Sequence, residues 1–279
     1  MPFQYKHVVM IGATSGIGGA LSSRLIQEGS KVIAVGRRQD RLDDFVNSHG
    51  KDRASSIRFD ISDRKSMDSF VDKLALQPPS RPGHWKLNVY TSVTQANPDL
   101  DCVFLNAGTQ SRTDLTDTAD FDLSAFHAEI ATNFSSFVDL TMKFLPFLKA
   151  KNTETSLIYT TSNLAIVPAA ALPAYSASKA ALNAFILCLR DQLRNSQVKV
   201  IELSPPVVQT ELHDYMGKDQ GRQLGMPLSA FTDEAYKRLT SGDDQIVIGS
   251  IGPADAFNDL VNKRKAAFED LAKMMRSHS

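Results

Sequence analysis

Short apolar runs rich in Val, Ile and Leu alternate along the chain with longer segments in which an apolar residue recurs every three or four positions. A run of the first kind predicts a strand that is buried on both faces, as in a parallel sheet. A segment of the second kind predicts a helix with one apolar face, because that spacing follows the helical turn. The predicted strands span 7–11, 31–35, 56–59, 101–105, 156–161, 198–203 and 245–249.

Helices are predicted between these strands. The first follows a glycine-rich turn at 12–18, and others span 39–48, 65–76, 123–150 and 175–194. A last amphipathic helix carries Phe257, Leu260, Val261, Phe268, Leu271 and Met275. Strands that alternate with helices predict an α/β fold, with a doubly wound, mostly parallel seven-stranded sheet and helices on both faces. We expect a single domain over 1–279.

Two stretches do not fit the alternation. Residues 77–99 contain Pro78, Pro79, Pro82, Pro98 and the only tryptophan, and they predict a surface insertion. Residues 211–240 are expected to cover a substrate pocket, with Leu212, Tyr215 and Met216 as candidate contacts. The same three side chains could equally be ordinary packing residues.

Composition narrows the functional classes. The 31 basic and 31 acidic residues balance, so charge gives no reason to expect a nucleic acid or an anionic membrane as partner. No apolar run approaches the roughly 18 residues of a membrane span. The two cysteines, Cys102 and Cys188, are expected to be reduced. These features predict a cytoplasmic protein without a metal site.

Tyr175 and Lys179 are four residues apart in a predicted helix, so they share one face. A free phenol has a pKa of about 10 and transfers protons poorly at neutral pH. A neighbouring ammonium lowers that pKa, which makes the pair suitable for moving a proton on or off a carbonyl oxygen. Taken alone, the spacing is equally compatible with a half-buried tyrosine beside a solvated lysine.

The turn at 12–18 is Gly-Ala-Thr-Ser-Gly-Ile-Gly, between a strand and a helix. Glycines there let backbone N–H groups and a helix N-terminus approach a pyrophosphate, although such a turn can also be only a tight connection. The second strand ends in Gly36, where an NAD site usually has an acid, and Arg37 and Arg38 follow. This favours the 2′-phosphate of NADP over NAD, unless the two arginines are merely solvated.

Several motifs in order resemble the short-chain dehydrogenase/reductase family over 6–210. The family's first glycine turn is matched at 11–18, its acidic residue after the third strand by Asp60, its Asn-Asn-Ala-Gly at 105–108, and its Pro-Gly-x-Val-x-Thr at 205–210. The family's catalytic residues are matched by Asn133, Ser162, Tyr175 and Lys179. A Ser-Pro-Pro-x-Val-x-Thr stretch and later motifs are similar to a DltE-like branch of the family.

The resemblance implies a Rossmann fold and an NADP(H)-dependent carbonyl reductase, or an alcohol dehydrogenase that runs the reaction in reverse. Tyr175 would protonate the carbonyl oxygen, Ser162 would orient it, Lys179 would lower the phenol pKa and bind the nicotinamide ribose, and Asn133 would hold a relay water. Together with the two arginines, the motifs predict cofactor contacts at Gly12, Thr14, Ser15, Gly16, Ile17, Gly18, Arg37, Arg38, Asp60, Ile61, Asn106, Ala107, Gly108, Tyr175, Lys179, Val208 and Thr210.

Three residues depart from the family's motifs. Ile11 replaces a threonine that ties the first turn to the sheet, Leu105 replaces an asparagine, and Pro206 replaces a glycine. These changes affect the expected loop geometry and cofactor affinity rather than the catalytic groups.

Other functions on the same pattern are a non-catalytic NADP-sensing regulator and a nucleotide-sugar epimerase or dehydratase. The four catalytic matches argue against the sensing regulator, and the short C-terminal region argues against the epimerase or dehydratase.

A homodimer or homotetramer is expected through helices 123–150 and 173–194, because they carry more apolar residues than one buried face needs. That content comprises Phe126, Phe134, Phe137, Phe144, Phe147, Phe185 and Leu187.

Overall fold

The computed structural model describes residues 3–63 and 97–278 of the chain. The predicted helix 65–76 and the predicted insertion 77–99, except its last three residues, lie outside the described residues. Within the described ranges, the strands are β1 (His7–Ile11), β2 (Lys31–Gly36), β3 (Ala54–Arg58), β4 (Cys102–Leu105), β5 (Thr155–Thr160), β6 (Val198–Ser204) and β7 (Gln245–Val247). They form one sheet in the order β3-β2-β1-β4-β5-β6-β7, and every pair is parallel.

Helices cover both faces of this sheet. They are α1 (Gly16–Gln27), α2 (Gln39–His49), α3 (Leu123–Ile130), α4 (Ser136–Lys149), α5 (Pro173–Gln192), α6 (Lys218–Arg222), α7 (Leu228–Leu239) and α8 (Ala254–Arg276). Short 3₁₀ helices lie at Asn163–Ala165 and Glu211–Met216. The predicted doubly wound α/β fold is therefore confirmed.

The side chains of the central strand β1 divide between two cores, because successive residues of a strand point to opposite faces. Val8 and Met10 belong to the core beneath α1, α2 and α7. Val9 and Ile11 belong to the core beneath α4 and α5. This burial on both faces explains why the strand reads as a continuous apolar run.

The predicted helix 123–150 is interrupted. A π-helical turn at Ala131–Ser135 separates α3 from α4. The Ser136 hydroxyl donates to the carbonyl of Ala131, five residues earlier, and to the carbonyl of Ile61. Periodicity predicted the helix correctly but gave no sign of the widened turn, which carries Asn133.

The last helix is present, but most of its apolar side chains are not buried. Phe257 and Val261 lie in the core, whereas Leu260, Leu271 and Met275 are exposed. Beyond its first two turns, α8 is attached mainly through charged contacts: Arg276 pairs with Asp191, and Lys265 pairs with Asp244. Its amphipathic pattern therefore overstates how much of the helix the described part of the chain covers.

A buried carboxylate ties several elements together below the sheet's carboxyl edge. Glu202 of β6 is 1% exposed and accepts hydrogen bonds from Thr161 Oγ1 at 2.7 Å, Asn183 Nδ2 at 2.7 Å and Gln245 Nε2 at 3.3 Å. Arg264 of α8 in turn donates to Asn183 Oδ1. The network joins β5, β6, β7, α5 and α8.

We expect Glu202→Ala to destabilise the fold, because it leaves the donors of Thr161 and Asn183 buried without an acceptor. Each buried unsatisfied donor costs about 1–3 kcal/mol, so the free energy of unfolding should fall by about 3 kcal/mol. Glu202→Gln keeps the volume and one acceptor oxygen and should cost less. Urea titrations of the three proteins measure the difference, and an alanine variant with wild-type stability would contradict the assignment.

Candidate active site

One cavity of about 650 Å³ opens at the carboxyl edge of the sheet, where parallel α/β folds bind ligands. Its wall is formed by the loops that follow β1, β2, β3, β4, β5 and β6. Every catalytic or cofactor-binding residue predicted from the sequence lines this cavity except Gly18 and Asn133. The fold therefore brings together residues that are far apart along the chain.

At one end of the cavity, the glycine-rich turn passes too close to its neighbours for side chains. Gly12 has φ +91°, and a Cβ there would lie 2.6 Å from the backbone nitrogen of Ala107. A Cβ on Gly18 would lie 2.1 Å from the carbonyl oxygen of Gly12. The N-terminus of α1, whose first N–H groups have no intrahelical acceptor, faces the resulting cradle. A pyrophosphate fits such a cradle.

The turn is tied to the sheet by Asn106 rather than by a threonine at position 11. The backbone nitrogens of Asn106 and Ala107 donate to the Ile11 carbonyl at 3.0 and 2.9 Å. The Asn106 side chain donates to the Gly12 carbonyl at 3.3 Å and accepts from Thr160 Oγ1 at 2.8 Å. Since Ile11 and Leu105 are buried in the core, these two departures from the motifs leave the strand ends connected.

The two arginines after β2 occupy different environments. The Arg37 side chain is 65% exposed, and its nearest charged partner is Asp60, at 3.8 Å. Arg38 donates to Glu211 Oε2 at 2.6 Å and to the carbonyl and hydroxyl oxygens of Thr14, both at 3.2 Å. Arg37 is thus the more available cation, whereas Arg38 holds the glycine-rich turn against the segment after Thr210.

Gly36 has a packing role as well as an electrostatic one. A Cβ at this position would lie 2.4 Å from Cγ2 of Thr14. An aspartate there, as in many NAD sites, would require Thr14 to move. The absence of an acid at Gly36 therefore follows partly from the close approach of the first turn.

Glu211 links the cofactor end of the cavity to its outer wall. Its carboxylate contacts Arg38, Arg41 at 3.3 Å and Arg222 at 3.9 Å. The hydrogen bond from Arg38 lowers the pKa of this carboxyl, so it is ionised at neutral pH. Nothing in the local sequence indicated this role, because Arg38 and Glu211 are 173 residues apart.

The other end of the cavity holds Tyr175, Lys179 and Ser162. Burial raises the pKa of Tyr175 to about 12, while its hydrogen bond to Ser162 acts in the opposite direction. Burial lowers the pKa of Lys179 to about 8. The Lys179 Nζ donates to the Thr160 carbonyl at 2.9 Å and lies 5.7 Å from the centroid of the Tyr175 ring. In the chain alone, burial therefore outweighs the expected lowering of the phenol pKa by the lysine.

Asn133 is fully buried on the π-helical turn and is held by the loop after β4. Its Oδ1 accepts from the Thr109 nitrogen at 2.9 Å, and its Nδ2 donates to the Thr109 carbonyl at 2.9 Å. Nδ2 also lies 3.2 Å from Ser178 Oγ, beside Lys179. The amide thus joins the π-helical turn, the β4 loop and α5 behind the reacting end of the cavity.

A polar cluster closes the outer wall of the cavity. Gln110 Oε1 accepts from the Tyr215 hydroxyl at 3.1 Å and lies 3.1 Å from His213 Nδ1. Leu212 and Tyr215 line the cavity as suggested, but Met216 does not. Within 211–240, the lining comes from 211–215, while α7 packs Phe231 into the core beside α1. The idea that the whole segment covers a substrate stays a prediction.

Sequence reasoning missed Gln110, Glu129, His213 and Glu211. Gln110 follows a strand end, and Glu129 precedes Asn133 by one helical turn, so position alone offered a weak signal for these two. The sequence gave no signal for His213 and Glu211, because only the fold brings their partners near.

Among residues 3–63 and 97–278, no cluster of three His, Cys, Asp or Glu side chains could hold a metal ion, and no helix is long and apolar enough to cross a membrane.

Comparisons with known proteins agree with this architecture. The family model described as short chain dehydrogenase matches residues 6–77 and 86–221. The chain is 34% identical over 218 residues to the uncharacterized oxidoreductase DltE of Bacillus subtilis, which covers 77% of this chain and 76% of the relative.

Solved structures share the fold at lower identity. A short-chain dehydrogenase from Sphingobium yanoikuyae, in complex with NADPH, superposes with a TM-score of 0.75 at 17% identity over 95% of this chain and 96% of that one. A short chain dehydrogenase/reductase from Burkholderia phymatum, in complex with NAD, has a TM-score of 0.73 at 17% identity over 88% of this chain and 90% of that one. The two structures hold different cofactors on a common fold.

Proposed function

Since the chain belongs to the short-chain dehydrogenase family, we propose that it is an NADP(H)-dependent oxidoreductase that interconverts a carbonyl compound and a secondary alcohol. One observation carries the proposal: a single cavity has the glycine cradle at one end and Tyr175, Lys179 and Ser162 at the other. A dinucleotide in the cradle would extend towards these three polar side chains. Its substrate would be a small molecule.

The chain's own residues provide the proton chemistry. In the reducing direction, Tyr175 donates its phenolic proton to the carbonyl oxygen, and Ser162 holds that oxygen through its hydroxyl. Lys179 presents a buried ammonium beside the phenol, and Asn133 bonds the π-helical turn to the β4 loop and to α5 behind it. The bound NADPH would supply the hydride that reaches the carbonyl carbon. A secondary alcohol leaves the site, with its new O–H proton from Tyr175.

Cofactor choice within this proposal rests on the charge at the end of β2. Arg37 is exposed beside the cradle, and Gly36 brings no carboxylate that would repel a phosphate. A guanidinium can bind a phosphate through two parallel N–H bonds. These features support a preference for the 2′-phosphate of NADPH over the 2′-hydroxyl of NADH.

The alternative is a non-catalytic protein that senses NADP(H) on the same fold. Such a protein would bind NADPH but would not oxidise it with any carbonyl compound. Following NADPH absorbance with a panel of aromatic, aliphatic and steroid-like ketones separates the two functions. Turnover with any member of the panel excludes the sensor, and binding without turnover favours it.

Assembly into a homodimer or homotetramer stays a prediction. The described part of the chain already buries Phe137, Phe144 and Leu187, while Phe134 and Phe185 pack edge to face with centroids 6.4 Å apart. These helices therefore leave less apolar surface for a partner subunit to cover than the sequence indicated. Light scattering at micromolar concentration would give the mass, and a monomer would contradict the prediction.

We expect Tyr175→Phe to lower turnover by about a hundred- to ten-thousand-fold, because it removes the acid and keeps the ring. NADPH affinity and the unfolding midpoint should change little. Tyr236→Phe, which removes a buried hydroxyl outside the cavity, is the matched control and should keep wild-type turnover. If Tyr175→Phe retained full activity on a good substrate, the proton would come from another group.

We expect Arg37→Ala to weaken NADPH binding roughly ten- to 150-fold and to leave NADH nearly unchanged, since a hydrogen bond to a charged group contributes about 1.5–3 kcal/mol. Arg38→Ala should weaken both cofactors, because Arg38 also supports Thr14. Arg53→Ala, at the opposite edge of the sheet, controls for the loss of one positive charge. Titration of both cofactors is the measurement, and equal wild-type affinity for NADH and NADPH would contradict the preference.

A further inference from the structure

A buried carboxylate that the family motifs do not include lies behind the reacting end of the cavity. Glu129 of α3 is 4% exposed. Its Oε2 accepts a hydrogen bond from Ser111 Oγ, and its Oε1 is buried without a hydrogen-bond partner among the described residues. A carboxylate in that position is costly unless its charge is balanced by a nearby cation.

The local framework directs Glu129 towards the Tyr175–Lys179 helix. Glu129 and Asn133 are one helical turn apart, and each is bonded to the loop after β4, through Ser111 and Thr109 respectively. The same loop passes Lys179 at Gly108, where a Cβ would lie 3.8 Å from the Lys179 Nζ. Helix α3 packs directly against α5.

The charge of Glu129 acts on three titratable groups that line the cavity. It raises the pKa of Lys179 against the effect of burial, and it raises the pKa of Tyr175 and of Tyr215. Arg112, on the β4 loop, acts on Tyr215 in the opposite direction. Burial raises the pKa of Glu129 itself, while Ser111 and the charge of Lys179 lower it.

We propose that Glu129 is a positioning residue whose carboxylate keeps the buried Lys179 in its ammonium form and makes Tyr175 hold its proton to higher pH. The proposal rests on the proposed function for its catalytic consequence, but the electrostatic effect of Glu129 on Lys179 can be tested without turnover. A carboxylate there favours the ammonium and disfavours the phenolate, so both groups hold their protons to higher pH.

Glu129→Gln separates this electrostatic role from a structural one. The amide keeps the volume and an oxygen that can accept from Ser111, but it removes the charge. A purely structural residue would tolerate the change or would lower activity equally at every pH. Asp52→Asn removes one exposed carboxylate before β3, at the amino edge of the sheet and opposite the cavity, and is the matched control.

The direct measurement is the titration of Lys179 by NMR of protein labelled with ¹³C at the lysine ε-carbon, with Lys179→Met identifying the resonance. The wild-type pKa is expected near 8. Loss of an opposite charge shifts a buried group by about one pH unit or more, so Glu129→Gln should lower the Lys179 pKa by about that amount. Glu129→Asp should recover part of the shift, and Asp52→Asn should cause none.

An unchanged Lys179 titration in folded Glu129→Gln would overturn the proposal. Should that variant fail to fold, Ser111→Ala provides the second test. It removes the hydrogen bond that favours the ionised carboxyl, so it should move the Lys179 titration in the same direction by a smaller amount. A shift to higher pH, or none, would count against the pairing.

Activity provides the second readout. Reduction requires the protonated phenol, so its rate falls as pH rises through the Tyr175 pKa. Without Glu129 that pKa is lower, and the loss of activity should begin about one pH unit earlier than in the wild type. If the wild-type protein reduces no carbonyl compound, the proposed function fails, while the lysine titration still decides the role of Glu129.

Discussion

The close approach of the β1 and β4 strand ends is the constraint on which the rest of the site depends. Position 12 faces the Ala107 backbone with no room for a Cβ, and position 18 faces the Gly12 carbonyl in the same way. Because the two backbones touch, Asn106 can reach across from β4 to Gly12 and to Thr160 of β5. Three adjacent strands are thereby fixed at the edge where the cavity opens.

Burial is the second constraint, and it determines the chemistry of the reacting groups. Tyr175 and Lys179 both lie within the protein, so each is pushed towards its neutral form: phenol for the tyrosine and amine for the lysine. A neutral lysine would contribute no positive charge to the site. The carboxylate of Glu129, a residue outside the family motifs, opposes that tendency by favouring the ammonium form of Lys179.

The Arg38–Glu211 pair extends this dependence to the outer wall. Arg38 holds Thr14 of the first turn and Glu211 of the 3₁₀ helix after β6 at once. The glycine cradle and the wall that carries Leu212 and Tyr215 are therefore mechanically connected. Arg37, one residue earlier, is exposed beside the cradle, and its nearest charged partner is Asp60 at 3.8 Å.

The sequence by itself determined the order of the elements and the types of residue at the sheet's carboxyl edge. Strand and helix periodicities arise from neighbours along the chain, so β1, β2, α2 and α5 could be predicted to within about two residues. Tertiary structure alone decided which polar and charged groups meet, as in Glu129 with Ser111 and Arg38 with Glu211. It also widened the helix at Asn133 and left the apolar residues late in α8 exposed. These outcomes depend on strand order and on contacts between distant residues, which local periodicity does not encode.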